Sequence, residues 1–313
     1  MRTLVTGGAG FIGSHLVDAL IARGDEVLAI DDLSTGKEAN LADALAAGAT
    51  LERADVTDGE RLLGLFERFR PEAVFHLAAQ IDVRKSMADP GFDVRLNVLG
   101  TVNALEAASR AGASRFVFTS TGGAIYGEGD ERPDEVPFAE TARCEPDSVY
   151  GQSKLAAEGY VALYRGIRGL SGASVRLGNV YGPRQDPATE AGVVAIFFEL
   201  ARDGGKPTVY GTGKQTRDYI YVSDVVSGLL ACEASTEPGP INLGTGVETD
   251  VLQLVERIGP LFGRADFEPQ FAPPRAGEIE RTALDTSLAE RVLGFKAERT
   301  VDQGLQGTFT AEA

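Results

Sequence analysis

Thr3-Leu4-Val5-Thr6-Gly7-Gly8-Ala9-Gly10-Phe11-Ile12-Gly13 is the stretch on which the fold turns. Its first four residues are β-rich and apolar, and glycines follow at once. Glycines at 7, 10 and 13 suit a strand that turns sharply into a helix. The first permits the tight turn, the second lets backbone N–H groups approach a diphosphate, and the third lets the helix pack close on the strand. The positive end of the helix dipole then faces the phosphates. A chain with 38 glycines produces such spacings by chance, so the flanks carry the reading. A strand precedes the turn and helix-patterned residues 13–23 follow it. Asp31 closes a second β-rich run, 18 residues after Gly13. A carboxylate there accepts hydrogen bonds from an adenosine ribose and repels a 2′-phosphate, which points to NAD rather than NADP.

Working outward, β-rich runs at 3–6, 26–30, 50–53, 73–77, 115–120 and 173–177 alternate with helix-patterned segments at 13–23, 60–68, 94–111 and 150–165. That rhythm predicts an α/β fold with a doubly wound, Rossmann-like parallel sheet. Beyond Gly182 proline and glycine become frequent and the alternation loosens. The expected organisation is an NAD-binding domain at 1–178 and a smaller mixed α/β substrate lobe at 179–313. Some of its segments, at about 215–240, are expected to return to the large sheet.

Composition narrows the function. The formal charge is −16 at pH 7, and so acidic a surface disfavours nucleic acid. No apolar stretch approaches the ~20 residues of a membrane span. Two cysteines, Cys144 and Cys232, make no disulfide framework, and two histidines make a His-built metal site a poor prospect. The first residues run straight into a strand with no charged-then-apolar leader. The expectation is a cytoplasmic protein with no metal.

Tyr150-Gly151-Gln152-Ser153-Lys154 places a phenol and an ammonium four residues apart, on one face of a helix. A free tyrosine titrates near 10 and is a poor base at neutral pH. A fixed cation beside it, with the positive nicotinamide ring, stabilises the phenolate and lets it take a proton from an alcohol. Ser120-Thr121, ending the preceding strand, offers a hydroxyl for the same oxygen. Thr121 is the favoured candidate and Ser120 the alternative. His76 alone reads as a core histidine.

Together these segments resemble the extended short-chain dehydrogenase/reductase superfamily and, within it, the nucleotide-sugar epimerases. The resemblance spans essentially the whole chain. Asp31-Asp32-Leu33-Ser34-Thr35-Gly36 looks like the run that closes over the adenosine, and Asp55-Val56 like the pair bracketing the adenine. His76-Leu77-Ala78-Ala79-Gln80 looks like the turn under the cofactor's central ribose. Asn97 resembles an asparagine that supports the site, and is placed with Gly7, Gly10, Phe11, Ile12 and Gly13 among the cofactor-binding residues. On the substrate side, Arg176-Leu177-Gly178-Asn179-Val180-Tyr181-Gly182-Pro183-Arg184 resembles the loop whose asparagine binds a diphosphate. Arg217-Asp218-Tyr219 and Pro274-Arg275-Ala276-Gly277-Glu278 resemble motifs whose arginines grip that diphosphate and whose acid holds the nucleotide ribose. Val193 and Tyr210 are placed with them, and with Thr121, Tyr150 and Thr282, among the implied substrate-binding residues.

The resemblance implies epimerisation at C4 of a UDP-hexose with NAD as a bound group, in a homodimer. Thr282 takes the place of a tyrosine that crowds C2 of the sugar in glucose-restricted relatives, which implies room for an N-acetyl group. UDP-glucuronate epimerisation is the alternative, with nucleotide-sugar dehydration or reduction behind it. Dehydration is disfavoured because Gly122-Gly123 follows Thr121 where dehydratases carry an acid pair. A non-catalytic NAD-binding regulator would have lost Tyr150 or Lys154, and both are present.

Overall fold

The computed structural model describes residues 1–188, 192–275 and 279–312. Short runs rich in Val, Ile, Leu and Phe form β1 (Arg2–Thr6), β2 (Glu26–Asp31), β3 (Thr50–Arg53), β4 (Ala73–His76), β5 (Arg115–Thr121) and β6 (Ser171–Leu177). The chain then passes through β7 (Asn179–Tyr181), β8 (Thr208–Tyr210), β9 (Thr216–Tyr221), β10 (Ile241–Leu243), β11 (Glu248–Asp250) and β12 (Gln270–Ala272). A seven-stranded sheet runs β10-β6-β5-β4-β1-β2-β3 with every pair parallel. Its central strand β4 is buried along its whole length, as a parallel strand covered on both faces must be.

Helices cover both faces. On one lie α1 (Phe11–Ala22) and, much later in the chain, α10 (Val222–Ala234) and α12 (Ser287–Leu293), contributing Leu16, Leu20, Leu229 and Ala289 to a buried cluster. Between α1 and α10 come α2 (Ala42–Ala46), α3 (Gly59–Phe69), α4 (Val83–Ala88), α5 (Pro90–Val94), α6 (Gly100–Ala111), α7 (Gly122–Ile125), α8 (Val149–Arg168) and α9 (Val193–Arg202). α3, α6 and α8 cover the other face through Leu62, Phe66, Leu105, Ala157 and Val161. Fully burying each large apolar side chain contributes about 1.5–3 kcal/mol. A third cluster joins α9 to α11 (Val251–Leu261) and α13 (Val301–Glu312) and forms the smaller lobe.

The return of the chain to the large sheet differs in part from the sequence expectation. β9 does not enter it but pairs with β7 and β11 in a three-stranded sheet. Strand alternation explains this: Ile220 points into the large core while Tyr219 and Tyr221 fill the small one. α10 packs back on the large sheet, and the strand that rejoins it is β10, just past 240. The chain leaves the large sheet at Leu177 and enters the small one at Asn179. Among the described residues no helix is long and apolar enough to cross a membrane.

Candidate active site

From β1 the chain winds through β2 and β3 on one side of β1, then crosses to β4 on the other. At that reversal the loops part and open a crevice beyond the C-terminal strand ends. A cavity of about 350 Å³ there is lined by Gly7, Gly10, Phe11, Ile12 and Gly13, by Asp31, Asp32, Ser34 and Thr35, and by Asp55 and Val56. Leu77, Ala78, Ala79 and Gln80 lie after β4, and Ser120, Tyr150, Lys154 and Leu177 form further parts of the wall.

The glycine turn is built for close approach. Gly7 adopts φ +69°, and a Cβ on it would lie 2.7 Å from the Ala78 nitrogen. A Cβ on Gly13 would lie 2.0 Å from the Gly7 carbonyl oxygen, so helix and turn touch there without a side chain between them. Gly10 caps α1 with no side-chain bond, and the first turn holds no acid. Its orphan N–H groups and the helix dipole therefore favour an anion. Asp31 is buried beside the turn, accepting from Ala9 N (2.9 Å) and Leu33 N (2.9 Å). Burial raises its pKa while these N–H groups pull it down. A carboxylate has about four acceptor positions, so capacity toward the cavity remains. These features fit a dinucleotide with an unphosphorylated ribose. Substituting Gly13→Ala should push α1 off the turn and weaken NAD binding roughly tenfold or more, about 1.4 kcal/mol, by titration of the purified protein; unchanged binding would contradict this role of the turn.

Ser148 fixes where α8 begins, its Oγ accepting from Gly151 N at 3.1 Å. Tyr150 is thereby in the first turn of α8, its own N–H donating to Ser86 Oγ at 3.1 Å, and Lys154 lies one turn on. Lys154 is buried, donates through Nζ to the Thr119 carbonyl (2.8 Å), and lies 4.7 Å from the Phe118 ring centroid. Desolvation pulls its pKa down to about 8, with Asp93 and Glu158 opposing. Desolvation pushes the Tyr150 phenol up to about 12, while a hydrogen bond with the Thr121 side chain pulls it down and Asp93 adds to the rise. The protein alone therefore holds Tyr150 as a neutral phenol. Ser120 Oγ is buried with no hydrogen-bond partner among the described residues, so the two candidate hydroxyls divide: Thr121 meets Tyr150, and Ser120 lines the cavity.

Three expected cofactor contacts stand one layer back. Asn97 is buried, and its amide accepts from Gln80 N (2.9 Å) and donates to the Gln80 carbonyl (2.9 Å), so it pins the loop under the cavity instead of lining it. Leu33 and Gly36 pack behind Asp31, whose Oδ1 takes the Leu33 N–H and would stand 2.7 Å from a Cβ on Gly36. His76 is a fully buried core residue, bonded to Thr6 Oγ1 (2.7 Å) and Thr101 Oγ1 (3.1 Å), with its pKa driven to about 3 by burial. Conversely, Lys85, Phe92 and Leu96 line the cavity although no sequence motif marks them. They come from α4, α5 and the π turn at Arg95–Leu99, and only the docking of these elements on α8 aims them there.

Residues 3–244 match the model of the NAD dependent epimerase/dehydratase family. The chain belongs to that family. It is 44% identical to a UDP-glucose 4-epimerase of Mycolicibacterium smegmatis over 98% of this chain and 97% of the relative. Among solved structures it is similar to UDP-glucose 4-epimerase of Thermotoga maritima with UDP-glucose (TM-score 0.93, 41% identity, 99% and 98% of the two chains). It is also similar to the Thermus thermophilus UDP-glucose 4-epimerase in complex with NAD (TM-score 0.92, 42% identity, 99% and 98%).

On the substrate side of this epimerase-family chain, Asn179 opens β7 two residues past Leu177, its Oδ1 3.2 Å from the position of a Cβ on Gly123. Val193 opens α9, and Arg217 lies on β9 with Nη1 donating to the Thr216 carbonyl (2.8 Å). The Arg275 guanidinium stacks 3.7 Å from the Tyr210 ring centroid. Thr282 is buried, its N–H donating to the Thr216 carbonyl (3.3 Å). None of these six lines the 350 Å³ cavity, and Glu278 lies outside the described residues. Next to Arg217, Asp218 was given no role by the sequence. It is fully buried and accepts from Thr245 N (2.8 Å), Thr245 Oγ1 (2.6 Å), Gly246 N (3.0 Å) and Leu284 N (3.3 Å), tying together the loops around the substrate-side strands.

Proposed function

We propose that this protein inverts C4 of the hexose of a UDP-sugar, interconverting UDP-glucose and UDP-galactose, with NAD retained between turnovers. The observation that carries the reading is the convergence of Tyr150, Lys154 and Ser120 on the cavity formed by the glycine turn and Asp31. Bound there, NAD supplies a hydride acceptor and donor for C4 and a positive charge that favours the Tyr150 phenolate. Tyr150 takes the proton of the C4 hydroxyl and later returns it. Thr121 hydrogen-bonds the phenol and orients the 4-oxygen, with Ser120 as the second hydroxyl. Lys154, clamped on the Thr119 carbonyl, holds positive charge beside the phenol. Asn179, Arg217 and Arg275 hold the diphosphate, a task suited to the guanidinium fork, while Val193 and Tyr210 pack on the nucleotide.

Water loss from the sugar would need an acid–base pair next to Thr121. Gly122 and Gly123 stand there instead, and a Cβ on Gly122 would lie 2.5 Å from Leu284 Cδ1, so a side chain could enter only if Leu284 shifted. Separating the products after incubation with UDP-galactose and no added NAD tests the proposal: UDP-glucose supports it, and an unchanged sugar or a dehydrated product refutes it.

The substrate range extends to UDP-GlcNAc and UDP-GalNAc because Thr282 is small. Thr282→Tyr is expected to abolish turnover of the N-acetyl sugars and spare UDP-galactose; equal loss of both, measured in parallel assays, contradicts the assignment. A cytoplasmic homodimer completes the proposal. α6 and α8 pack side by side, and Leu99, Tyr160, Leu163 and Ile167 on or beside them are exposed, whereas Leu105 is core. Pairing these faces would cover the patch, and a monomer mass by sedimentation would contradict it.

A further inference from the structure

Asp93 is a buried carboxylate beside the site that takes no part in the proposed proton and hydride transfers. Asp93 lies on α5, beneath the floor of the cavity and completely shielded from solvent. Its Oδ2 accepts from Gln80 Nε2 (2.9 Å) and Asn97 Nδ2 (3.2 Å). Its Oδ1 has no hydrogen-bond partner among the described residues. Both donors are neutral amides, so neither matches its charge. Gln80 in turn closes on Asp82 through both ends of its amide, donating to the Asp82 carbonyl (3.0 Å) and accepting from Asp82 N (2.6 Å). The cluster thus welds α5 to the loop that lines the cavity, and α5 packs directly on α8, the helix that presents Tyr150 and Lys154.

We infer that Asp93 is a positioning residue of the reaction: it anchors the Gln80 loop, and its charge is the counter-ion that keeps buried Lys154 an ammonium beside Tyr150. The inference rests on the epimerase reading above for its consequence in turnover, but not for its electrostatics. The surrounding charges make Asp93 the carboxylate that matters. The titratable groups whose charge acts on Lys154 are Asp93 from α5 and Glu158 from its own helix, and His76 from β4 is kept neutral by burial. Glu158 is already neutralised by Arg176 of β6, through Nε–Oε1 (2.9 Å) and Nη2–Oε2 (2.7 Å). The groups that act on the Tyr150 phenol are the Thr121 hydroxyl and Asp93. The field of Asp93 favours the charged lysine and disfavours the charged phenol.

Asp93→Asn keeps an oxygen for Gln80 and Asn97 and removes only the charge. Without it Tyr150 ionises at lower pH, and Lys154 also loses its proton at lower pH. The kcat of the variant divided by that of the parent is therefore expected to fall steadily as pH rises from 6 to 9. A residue with a purely structural role gives a ratio that does not change with pH. The second readout needs no turnover. Lysine carrying carbon-13 at Cε reports the titration of Lys154, one of six lysines, assigned by Lys154→Met. Its titration is expected at lower pH in Asp93→Asn than in the parent, and at the parental pH in Asp93→Glu. Should the Asn variant not fold, Asp93→Ser removes the charge with a smaller side chain and carries the same expectation. Identical Lys154 titrations in the charge-removed variant and the parent, or a pH-independent kcat ratio, overturn the inference. A parent that folds and does not turn over UDP-galactose refutes the epimerase reading alone, and the lysine titration still decides the role of Asp93.

Discussion

Tyr150→Phe is expected to lower kcat by about a thousandfold while the protein stays folded and loaded with NAD. Acid–base groups acting directly on the reacting oxygen contribute about 10²–10⁴-fold, and no neighbour can take over here. Lys154 is held by the Thr119 carbonyl, His76 is locked in the core, and the Thr121 hydroxyl is too weak a base. The substitution deletes one oxygen and leaves the backbone bond to Ser86 Oγ and the Ser148 cap intact. KM should therefore change little, as befits an interaction that matters mainly in the transition state. Steady-state kinetics on variant and parent check this, and a kcat within tenfold of the parent would remove Tyr150 from the chemistry.

Arg176→Met should produce the largest loss of stability. Arg176 binds Glu158 through two nitrogens, donates to the Tyr126 hydroxyl (2.9 Å), and lies 5.0 Å from the Tyr126 ring centroid. The Tyr126 hydroxyl donates in turn to Asn242 Oδ1 (2.8 Å), and Asn242 Nδ2 reaches the carbonyls of Phe138 (2.8 Å) and Asp285 (3.1 Å). Both ion-pair members are buried, at 4% and 9% side-chain exposure. Removing the cation leaves Glu158 charged and uncompensated in the interior, which costs about 3–5 kcal/mol. The pair as a whole is worth less than this, because burying two charges is itself unfavourable. Arg176→Met combined with Glu158→Leu should thus recover part of the loss. Denaturant unfolding of the single and double variants reads both; a single-variant loss below about 1 kcal/mol would show that Glu158 finds water or another partner.

The cofactor half of the site was legible because its chemistry is written in local spacing. A strand, glycines at 7, 10 and 13, and an acid ending the next strand describe one continuous βαβ unit, and the side chains that matter lie within it. Tyr150 and Lys154 were legible for the same reason, since one helical turn brings them to one face. What the sequence could not display were contacts made by packing. Asn97, Gln80 and Asp93 meet because α5 and the π turn dock beneath the loop after β4, and only that docking distinguishes a cavity wall from the layer behind it. The same holds for Lys85 and Phe92, which reach the cavity from two short helices. Within 215–240, α10 packs back on the large sheet while β9 stays outside it, because β9 alternates between two cores and a strand buried on both sides reads alike in either sheet. Arg217 stood out through its charge, while its neighbour Asp218 does the structural work at the centre of three segments.

The hydrogen on C4 is the atom on which the whole account depends. UDP-galactose carrying deuterium at C4 should be incubated with the purified protein in ordinary water, without added NAD, and the UDP-glucose isolated. Removal and return of that hydrogen as hydride, shielded from solvent, predicts product with the deuterium still at C4. Loss of the label to solvent would mean inversion by proton exchange and would contradict the assignment of this cleft to NAD-dependent epimerisation.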